Sequence, residues 1–540
     1  MRSNKFFFLL IAFTCLIIGF RPAVKKPVPA KKPNIIIILA DDMGYSDIGC
    51  FGSDVQTPNL DEMAKGGLRM TEFYNASRCC PTRASLLTGL YQHQAGVGDM
   101  MNTRPQPAYQ GYLNKNCVTI AEAFKAGGYT TLMAGKWHVG EAPEHWPVKR
   151  GFDHYFGLID GAGSYFGLYN YRPNQKLTIA LDDKSVTPGK GYYSTNAFTD
   201  YAIKFIQQNK ESGKPFFLYL AYQAPHWPLQ ALPKDIAKYK GKFMQGWDKL
   251  REERFKRLQE SGIISKGTQL SPRDSHVPAW ETLTEEEKVR WDDKMAVYSA
   301  MIDCMDQNIG RLRQTLKEMG EDKNTVIMFL SDNGGSSEMI HGNGFLPAIL
   351  EANEKPASDP TSFTSYGFEG ANVSNTPFRL FKHWEYEGGT ATPFIAYGPG
   401  IVKPGISSGQ PAHIIDLMST CLDLAGVKYP DSYHGNKITK TEGISLVPLF
   451  KNEKWKGHNA LFFEHEGNRA VRQGDWKLVS DFPENKWHLY NMKTDRSELN
   501  DLSGKNAEKV NELAALYNAW ADSHSVIPFE QLRKKAGDKF

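Results

Sequence analysis

The segment from Cys79 to Gly89, CCPTRASLLTG, carries the residues of this chain that are best suited to covalent chemistry. Pro81 fits the first turn of a helix, because its φ is fixed and it has no N–H that needs a partner, and Gly89 can end that helix. The pattern therefore predicts a helix that begins just after the Cys79 thiol. A helix N-terminus attracts anions, and Arg83 adds a forked cation on the same face. The spacing predicts a nucleophile inside an anion-binding site.

This segment resembles the signature of the type I sulfatases, CxPSRxxxLTG, with Thr82 where that pattern most often has serine. The resemblance implies that a maturation enzyme oxidises Cys79 to formylglycine, which then acts as the nucleophile. Cys80 does not fit the pattern, because a match that starts there would place Thr82 where proline belongs. An ordinary disulfide or a buried thiol is the alternative interpretation of these cysteines.

Four short apolar segments of the chain end in polar residues. They are Asn34 to Ala40 before Asp41 and Asp42, Thr130 to Ala134 before Lys136 and His138, Phe216 to Tyr222 before His226, and Thr325 to Leu330 before Asp332 and Asn333. Continuous apolar strands separated by helical stretches are typical of an α/β fold with a mostly parallel sheet between layers of helices. Ligands of such sheets bind beyond the carboxyl ends of the strands. The segments therefore predict a single cleft, and the resemblance implies the large mixed sheet of the alkaline phosphatase superfamily.

Asp41, Asp42, Asp332 and Asn333 offer only oxygen ligands, which a hard cation such as Ca²⁺ prefers and zinc does not. In sulfatases the matching positions of the strings DDMGYSD and SDNGG bind one calcium ion, so the resemblance implies the same role here. Two-zinc members of the alkaline phosphatase superfamily tend to have histidine where Asn333 stands, which favours one metal. Taken alone, each string is also common in turns and helix caps.

The resemblance further implies basic residues that contact the sulfate group or the nucleophile: Lys136 and His138 in GKWHVG, His226 in APHWP and Lys382 in FKHWEYEGG. Lys136 would act with Arg83 on the sulfate oxygens. His226 or Lys382 would protonate the departing alcohol, and His138 would help the hydrated aldehyde to collapse, or the two proton roles would be exchanged. His383 and His465 lack equal support, although His465 could reach the substrate from the end of the chain.

Charge and the first residues of the chain indicate partners and location. The 64 basic and 60 acidic residues give a net charge of +4, which is too balanced for a nucleic-acid-binding protein that relies on counterion release. Residues 1–23 have the basic start and apolar stretch of a secretory signal peptide. We therefore expect an exported, periplasmic or secreted protein with no transmembrane helix after cleavage. A lipoprotein modified at Cys15 and an uncleaved anchor are the alternatives.

The chain of 540 residues is long enough for two domains. The predicted nucleophile, metal ligands and basic contact residues all fall within residues 31–450, which we predict to be the catalytic domain. From about residue 455 the pattern changes to short alternating segments and one amphipathic helix, which predicts a smaller α+β subdomain over residues 455–540 with an antiparallel sheet. This part also resembles the C-terminal subdomain of sulfatases.

Together these features predict a sulfuric ester hydrolase with formylglycine at residue 79 and one calcium ion. The stretches around Lys382 look most like bacterial carbohydrate sulfatases that are often named arylsulfatases, which implies a sulfated glycan of mucin or glycosaminoglycan type as substrate. A phosphate or phosphonate ester hydrolase on the same fold and a non-catalytic glycan-binding relative remain alternatives. Five aromatic residues can either stack on sugar rings or pack in the core: Tyr165, Phe166, Tyr169, Trp227 and Trp384.

Overall fold

The computed structural model describes residues 31–536. The signal peptide expected over residues 1–23, and Cys15 with it, lies outside the described residues. Within the described part no helix has both the length and the apolar character needed to cross a membrane.

The described chain forms both strands and helices. The strands are β1 (Asn34–Ala40), β2 (Leu68–Tyr74), β3 (Thr130–Gly135), β4 (His154–Leu158), β5 (Ile179–Leu181), β6 (Lys184–Val186), β7 (Phe216–Ala221), β8 (Thr325–Ser331), β9 (Ala391–Tyr397), β10 (Ile406–Ser408), β11 (Ala412–His413), β12 (Ser432–Tyr433), β13 (Asn436–Lys437), β14 (Leu461–His465), β15 (Asn468–Gln473), β16 (Trp476–Ser480) and β17 (Trp487–Asn491). The α-helices are α1 (Pro58–Lys65), α2 (Cys79–Thr88), α3 (Gln92–Ala95), α4 (Ile120–Ala126), α5 (Ser194–Asn209), α6 (Pro233–Ile236), α7 (Trp247–Glu260), α8 (Glu285–Glu318), α9 (Pro347–Asn353), α10 (Gly367–Ser374), α11 (Glu387–Thr390), α12 (Asp416–Ala425), α13 (Val447–Phe450), α14 (Ala507–Ser523) and α15 (Phe529–Ala536).

The large sheet has the strand order β10-β2-β9-β8-β1-β7-β3-β4-β5-β6, and β11 also pairs with β2. Its centre, from β8 through β1, β7 and β3 to β4, is parallel, whereas β9 runs antiparallel between β8 and β2. The predicted mixed, mostly parallel sheet is confirmed. β1 covers the residues predicted for it, and β3, β7 and β8 each differ from prediction by one residue at one end.

The large sheet is buried on both faces, and its strand β1 is apolar at every position after Asn34. Ile36 and Ile38 pack in one hydrophobic core with residues of α5 and α8. Ile35 and Ile37 pack in the core on the opposite face, with residues of α2, α4 and α12. The helices therefore form a layer on each side of the sheet, as predicted.

A second sheet near the end of the chain is antiparallel, with the order β14-β15-β16-β17. Leu513, Tyr517 and Trp520 of α14 are buried against it, in agreement with the predicted amphipathic helix. Lys477 of β16 is fully buried, and its Nζ lies 3.0 Å from a carboxylate oxygen of Glu387, in α11, and 2.8 Å from one of Glu498. The ion pair between Lys477 and Glu387 thus links the second sheet to α11, the helix that directly precedes β9. The boundary between residues 450 and 455 stays a prediction.

Candidate active site

The carboxyl ends of the central strands meet at one edge of the large sheet. Ala40 pairs with Ser331, and Ala221 pairs with both Leu39 and Gly135. The polar residues that follow β1, β3, β7 and β8 therefore leave the sheet side by side. This is the edge at which an open parallel sheet binds its ligands.

The predicted nucleophile lies in the first turn of α2. The helix begins at Cys79 itself and not after it, because the carbonyl of Arg78 already accepts a hydrogen bond from the Thr82 N–H at 3.0 Å. Gly89 ends the helix with φ 68°, as predicted. The Thr82 hydroxyl accepts a hydrogen bond from the Ala76 N–H at 3.0 Å, so it supplies the acceptor that serine would offer.

Arg83 and Lys136 form a buried ionic group with two of the predicted metal ligands. Arg83 Nη2 lies 2.9 Å from Asp332 Oδ2 and 3.5 Å from Asp41 Oδ1. Lys136 Nζ donates to Asp41 Oδ2 at 2.6 Å, and Arg83 Nη1 donates to the Lys136 carbonyl at 3.1 Å. Burial raises the pKa of both Asp41 and Asp332.

Asp42 is the centre of the second group. Its Oδ1 accepts a hydrogen bond from Asn333 Nδ2 at 2.7 Å, and its Oδ2 accepts one from Lys382 Nζ at 2.8 Å. His226 Nε2 lies 3.4 Å from both Asp42 Oδ2 and Lys382 Nζ. Since His226 Nδ1 is 2.6 Å from the carbonyl of Trp227, which can only accept, Nδ1 carries the hydrogen and Nε2 is the acceptor.

His138 faces the nucleophile. Its ring interacts with the Cys79 side chain, and burial lowers its pKa to about 4, so the imidazole is neutral near pH 7. The residue has φ 57°, a left-handed conformation that is strained outside glycine. A Cβ added to Gly161 would lie 2.3 Å from His138 Nε2, which shows how closely that backbone packs against the ring.

The donor set fits a hard divalent cation. Asp41 Oδ1 and Asn333 Oδ1 are both buried without a hydrogen-bond partner. They belong to a group of carboxylate and amide oxygens that Ca²⁺ prefers. Ligand atoms of Asp41, Asp42 and His226 lie within 4.8 Å of one another.

Comparison with known families agrees with this geometry. The family model described as Sulfatase matches residues 33–427. The chain belongs to the sulfatase family. A second model, described as N-sulphoglucosamine sulphohydrolase, C-terminal, matches residues 378–519.

Relatives of this sulfatase cover most of its length. An uncharacterised sulfatase of Schizosaccharomyces pombe is 35% identical and covers 94% of this chain and 96% of its own. The arylsulfatase of Klebsiella aerogenes is 36% identical over 78% of this chain and 92% of its own. The N-acetylgalactosamine-6-sulfatase of Mus musculus is 27% identical over 92% of this chain and 82% of its own. The solved structure of Ps i-CgsB in complex with k-i-k-neocarrahexaose has a TM-score of 0.66 and 28% identity, and covers 91% of this chain and 93% of its own.

The sulfatase site also contains an acidic residue that the sequence analysis missed. Glu338 Oε2 accepts hydrogen bonds from Trp227 Nε1 at 2.8 Å and Lys382 Nζ at 3.2 Å, and its Oε1 lies 2.8 Å from Arg78 Nη1. Burial alone would raise the pKa of Glu338, but Lys382 and Arg78 hold it well below the usual range. Arg78 could have been noticed because it directly precedes Cys79. Glu338 has no such signal.

Asp47, at the end of the DDMGYSD string, holds the loop that carries the predicted metal ligands. It accepts hydrogen bonds from the Gly44 N–H at 2.8 Å, the Tyr298 hydroxyl at 2.7 Å and Arg254 Nη1 at 2.8 Å. Arg254 is fully buried although it belongs to the highly charged helix α7. Arg254 of α7 therefore helps to hold Asp47 and the loop that carries the predicted metal ligands.

The remaining sequence candidates are divided between core and surface. Tyr165 and Trp227 are buried, whereas Tyr169 is 59% exposed and Trp384 is half-buried. His465 is fully buried, so it presents no surface to a substrate in this structure.

Proposed function

We propose that this sulfatase removes sulfate from a carbohydrate, with formylglycine at residue 79 as nucleophile and one calcium ion. The proposed calcium ligands are Asp41, Asp42, Asp332 and Asn333. The observation that carries the proposal is the meeting of Cys79, an all-oxygen ligand group and buried cations at one sheet edge. The names of the Klebsiella and mouse relatives support sulfuric ester chemistry, and the neocarrahexaose complex of Ps i-CgsB supports a carbohydrate substrate.

The proposed reaction needs two groups that the encoded amino acids do not supply, a calcium ion and a formylglycine. Calcium, when bound, would supply positive charge that attracts the anionic sulfate group. Hydrated formylglycine supplies two hydroxyls on one carbon, so that one can attack sulfur and the other can later release sulfate. Arg83 and Lys136 hold cationic donors next to the nucleophile, where they stabilise charge that develops on the sulfate oxygens.

The contacts of His226 indicate which group gives a proton to the departing alcohol. Its Nε2 accepts from Lys382, and burial lowers its pKa to about 4, so at neutral pH it holds no proton to give from that atom. Lys382 Nζ is the donor in this group, since it donates to Asp42 Oδ2 at 2.8 Å and lies 3.4 Å from the acceptor Nε2 of His226. Lys382 is therefore our proposed proton donor, and His226 orients it.

His138 has the complementary role. It is neutral, buried and next to residue 79, so it can accept a proton from the nucleophile side of the site. The two histidines thus flank the reacting group, with His138 on the side of the nucleophile and His226 on the side of the leaving group.

Replacing Cys79 by alanine tests the proposal. We expect turnover of 4-nitrophenyl sulfate to disappear while the thermal unfolding temperature stays close to that of wild type. Peptide mass spectrometry of the active wild-type protein should find formylglycine at residue 79. The matched control is Cys421→Ala, because Cys421 is a buried thiol in α12 outside the site. A fully active preparation with an intact thiol at residue 79 would refute the proposal, and faster turnover of 4-nitrophenyl phosphate would favour the phosphatase alternative.

Export, maturation and domain limits also remain proposals. We propose that residues 1–23 are a cleaved signal peptide, that the chain is periplasmic or secreted, and that a formylglycine-generating enzyme acts on it. We likewise propose the domain limits 31–450 and 455–540. N-terminal sequencing of the protein recovered outside the cytoplasm tests the first proposal, since a start before residue 15 would contradict cleavage.

A further inference from the structure

Four partly exposed polar side chains form two contacting pairs, and each pair includes a residue that contacts Lys382 or follows it in the chain. They are Arg78 and Glu338, with side chains 17% and 34% exposed, and His383 and Glu466, with side chains 29% and 27% exposed. We name them the rim cluster. Glu338 contacts Lys382 directly, and the charges of both glutamates act on Arg78. The cluster is therefore connected, through Glu338 and through His383, the next residue in the chain, to the residue that we propose as the proton donor to the leaving group.

Two members of the rim cluster, His383 and Glu466, contact each other at a hairpin of the second sheet. Glu466 and Gly467 form the two-residue turn between β14 and β15, in which His465 pairs with Asn468. Glu466 and Gly467 have φ 49° and 87°, as a type I′ turn requires. Glu466 Oε2 lies 3.2 Å from His383 Nδ1, and His383 itself has φ 91°. Two non-glycine residues thus hold unfavourable backbone conformations where their side chains meet, a pattern that is common at functional sites.

The hydrogen bonds of His383 exclude it as a metal ligand through Nδ1. Asn468 Oδ1 accepts from the Phe482 N–H at 3.1 Å, which turns Asn468 Nδ2 toward His383 Nε2 at 3.0 Å. His383 Nε2 is therefore an acceptor, and Nδ1 carries the hydrogen that points to Glu466. Although ligand atoms of His383, His465 and Glu466 lie within 4.8 Å of one another, the pair is built for hydrogen bonding.

We propose that the rim cluster binds hydroxyl groups of the departing sugar and selects a sulfated sugar whose neighbouring positions are uncharged. Carboxylates accept hydrogen bonds from hydroxyls, and such charge-assisted bonds are strong. Lys382 is already paired with Asp42, and the rim sets two glutamates against the one guanidinium of Arg78, so it offers no surplus positive charge to a second sulfate or carboxylate. The inference rests on the proposed function, because that function places the leaving group beside Lys382.

Replacing Glu466 tests the inference without altering the residues proposed to bind sulfate or calcium. Glu466→Ala and Glu466→Gln are compared with wild type on 4-nitrophenyl sulfate and on galactose and N-acetylhexosamine monosulfates, each with a matched disulfate. The control is Glu484→Ala, which removes the same charge from an exposed turn of the same sheet. Each preparation is first checked for formylglycine and for its thermal unfolding temperature.

For Glu466→Ala we expect kcat/KM on the best monosulfate to fall about 10- to 100-fold more than kcat/KM on 4-nitrophenyl sulfate. Glu466→Gln keeps the shape of the side chain but removes its charge, so the ratio of disulfate to monosulfate turnover should rise at least threefold. Glu484→Ala should change neither quantity.

Equal losses on the aryl and sugar sulfates would indicate a structural role and would overturn the inference. An unchanged preference in both Glu466 variants would overturn it as well, as would a wild type that hydrolyses 4-nitrophenyl sulfate but none of the sugar sulfates. The proposed function fails separately, if wild-type protein with formylglycine hydrolyses no sulfate ester.

Discussion

Replacing Asn333 by alanine tests whether the all-oxygen group holds calcium. Asn333 Oδ1 is buried and has no hydrogen-bond partner. Its Nδ2 donates to Asp42 Oδ1 at 2.7 Å and to the Gly334 carbonyl at 2.9 Å. The substitution therefore removes one proposed ligand and leaves the three carboxylates in place.

The size of the effect follows from these contacts. An interaction between a polar group and a charge contributes about 1.5–3 kcal/mol, and about 1.4 kcal/mol corresponds to a tenfold change in affinity. We expect the dissociation constant for calcium to rise about 10- to 100-fold. Loss of the buried bond to Asp42 should also destabilise the metal-free protein by about 1–3 kcal/mol. The two effects are separable, because only the first varies with calcium concentration.

The assay follows the thermal unfolding temperature of chelator-treated protein as free calcium is raised. The matched control is Asn308→Ala in α8, since Asn308 Nδ2 donates two hydrogen bonds of 2.8 Å away from the site, one of them buried and the other partly buried. It should lower the unfolding temperature without shifting the calcium dependence. If Asn333→Ala and wild type respond to the same calcium concentrations, Asn333 is not a ligand and the proposed site is wrong.

Two further predictions concern histidines. Gly161→Ala would bring a methyl group 2.3 Å from His138 Nε2, so the ring must move, and we expect kcat on 4-nitrophenyl sulfate to fall about 100-fold or more. Gly163→Ala is the control, because its added methyl group would make ordinary contacts at 3.6 Å. A normal kcat for Gly161→Ala would contradict the role of His138. Burial lowers the pKa of His413 from 6.5 to about 3, so the unfolded chain binds more protons than the folded one as pH falls below 6.5. As pH falls from 7 to 5, this histidine should therefore lower the free energy of unfolding by about 2 kcal/mol, which denaturant titration can measure. If His413→Asn shows the same pH dependence as wild type, this account is refuted.

The centre of the fold could be predicted from sequence because its strands are locally distinct. β1, NIIIILA, is apolar at nearly every position, which is the pattern of a parallel strand covered on both faces. The antiparallel direction of β9 could not be predicted in this way. Its residues, ATPFIAY, have the composition of a buried strand but carry no mark of direction, and its place between β8 and β2 is fixed by tertiary pairing.

The candidate site shows the same division. The ten residues expected from strand ends and from family resemblance lie at the predicted sheet edge, and their chemical roles remain proposals. Glu338 and Glu466 were missed because the contacts that define them are distant in sequence. Glu338 meets Lys382 across 44 residues, and the turn that carries Glu466 is joined to His383 by a hydrogen bond that spans 85 residues. Contacts between residues so far apart in sequence cannot be predicted from the local pattern of apolar and polar residues.

The charges at the buried centre explain why anion binding and metal binding should depend on each other. When ionised, three carboxylates balance three cations: Asp41, Asp42 and Asp332 against Arg83, Lys136 and Lys382. A balanced site attracts an anion weakly, and burial together with mutual repulsion raises the pKa of Asp41 and Asp332, so these two carboxylates resist being charged together. A dication would favour their charged forms and leave an excess of two positive charges to match a sulfate group. By thermodynamic linkage, sulfate must then strengthen calcium binding by the factor with which calcium strengthens sulfate binding.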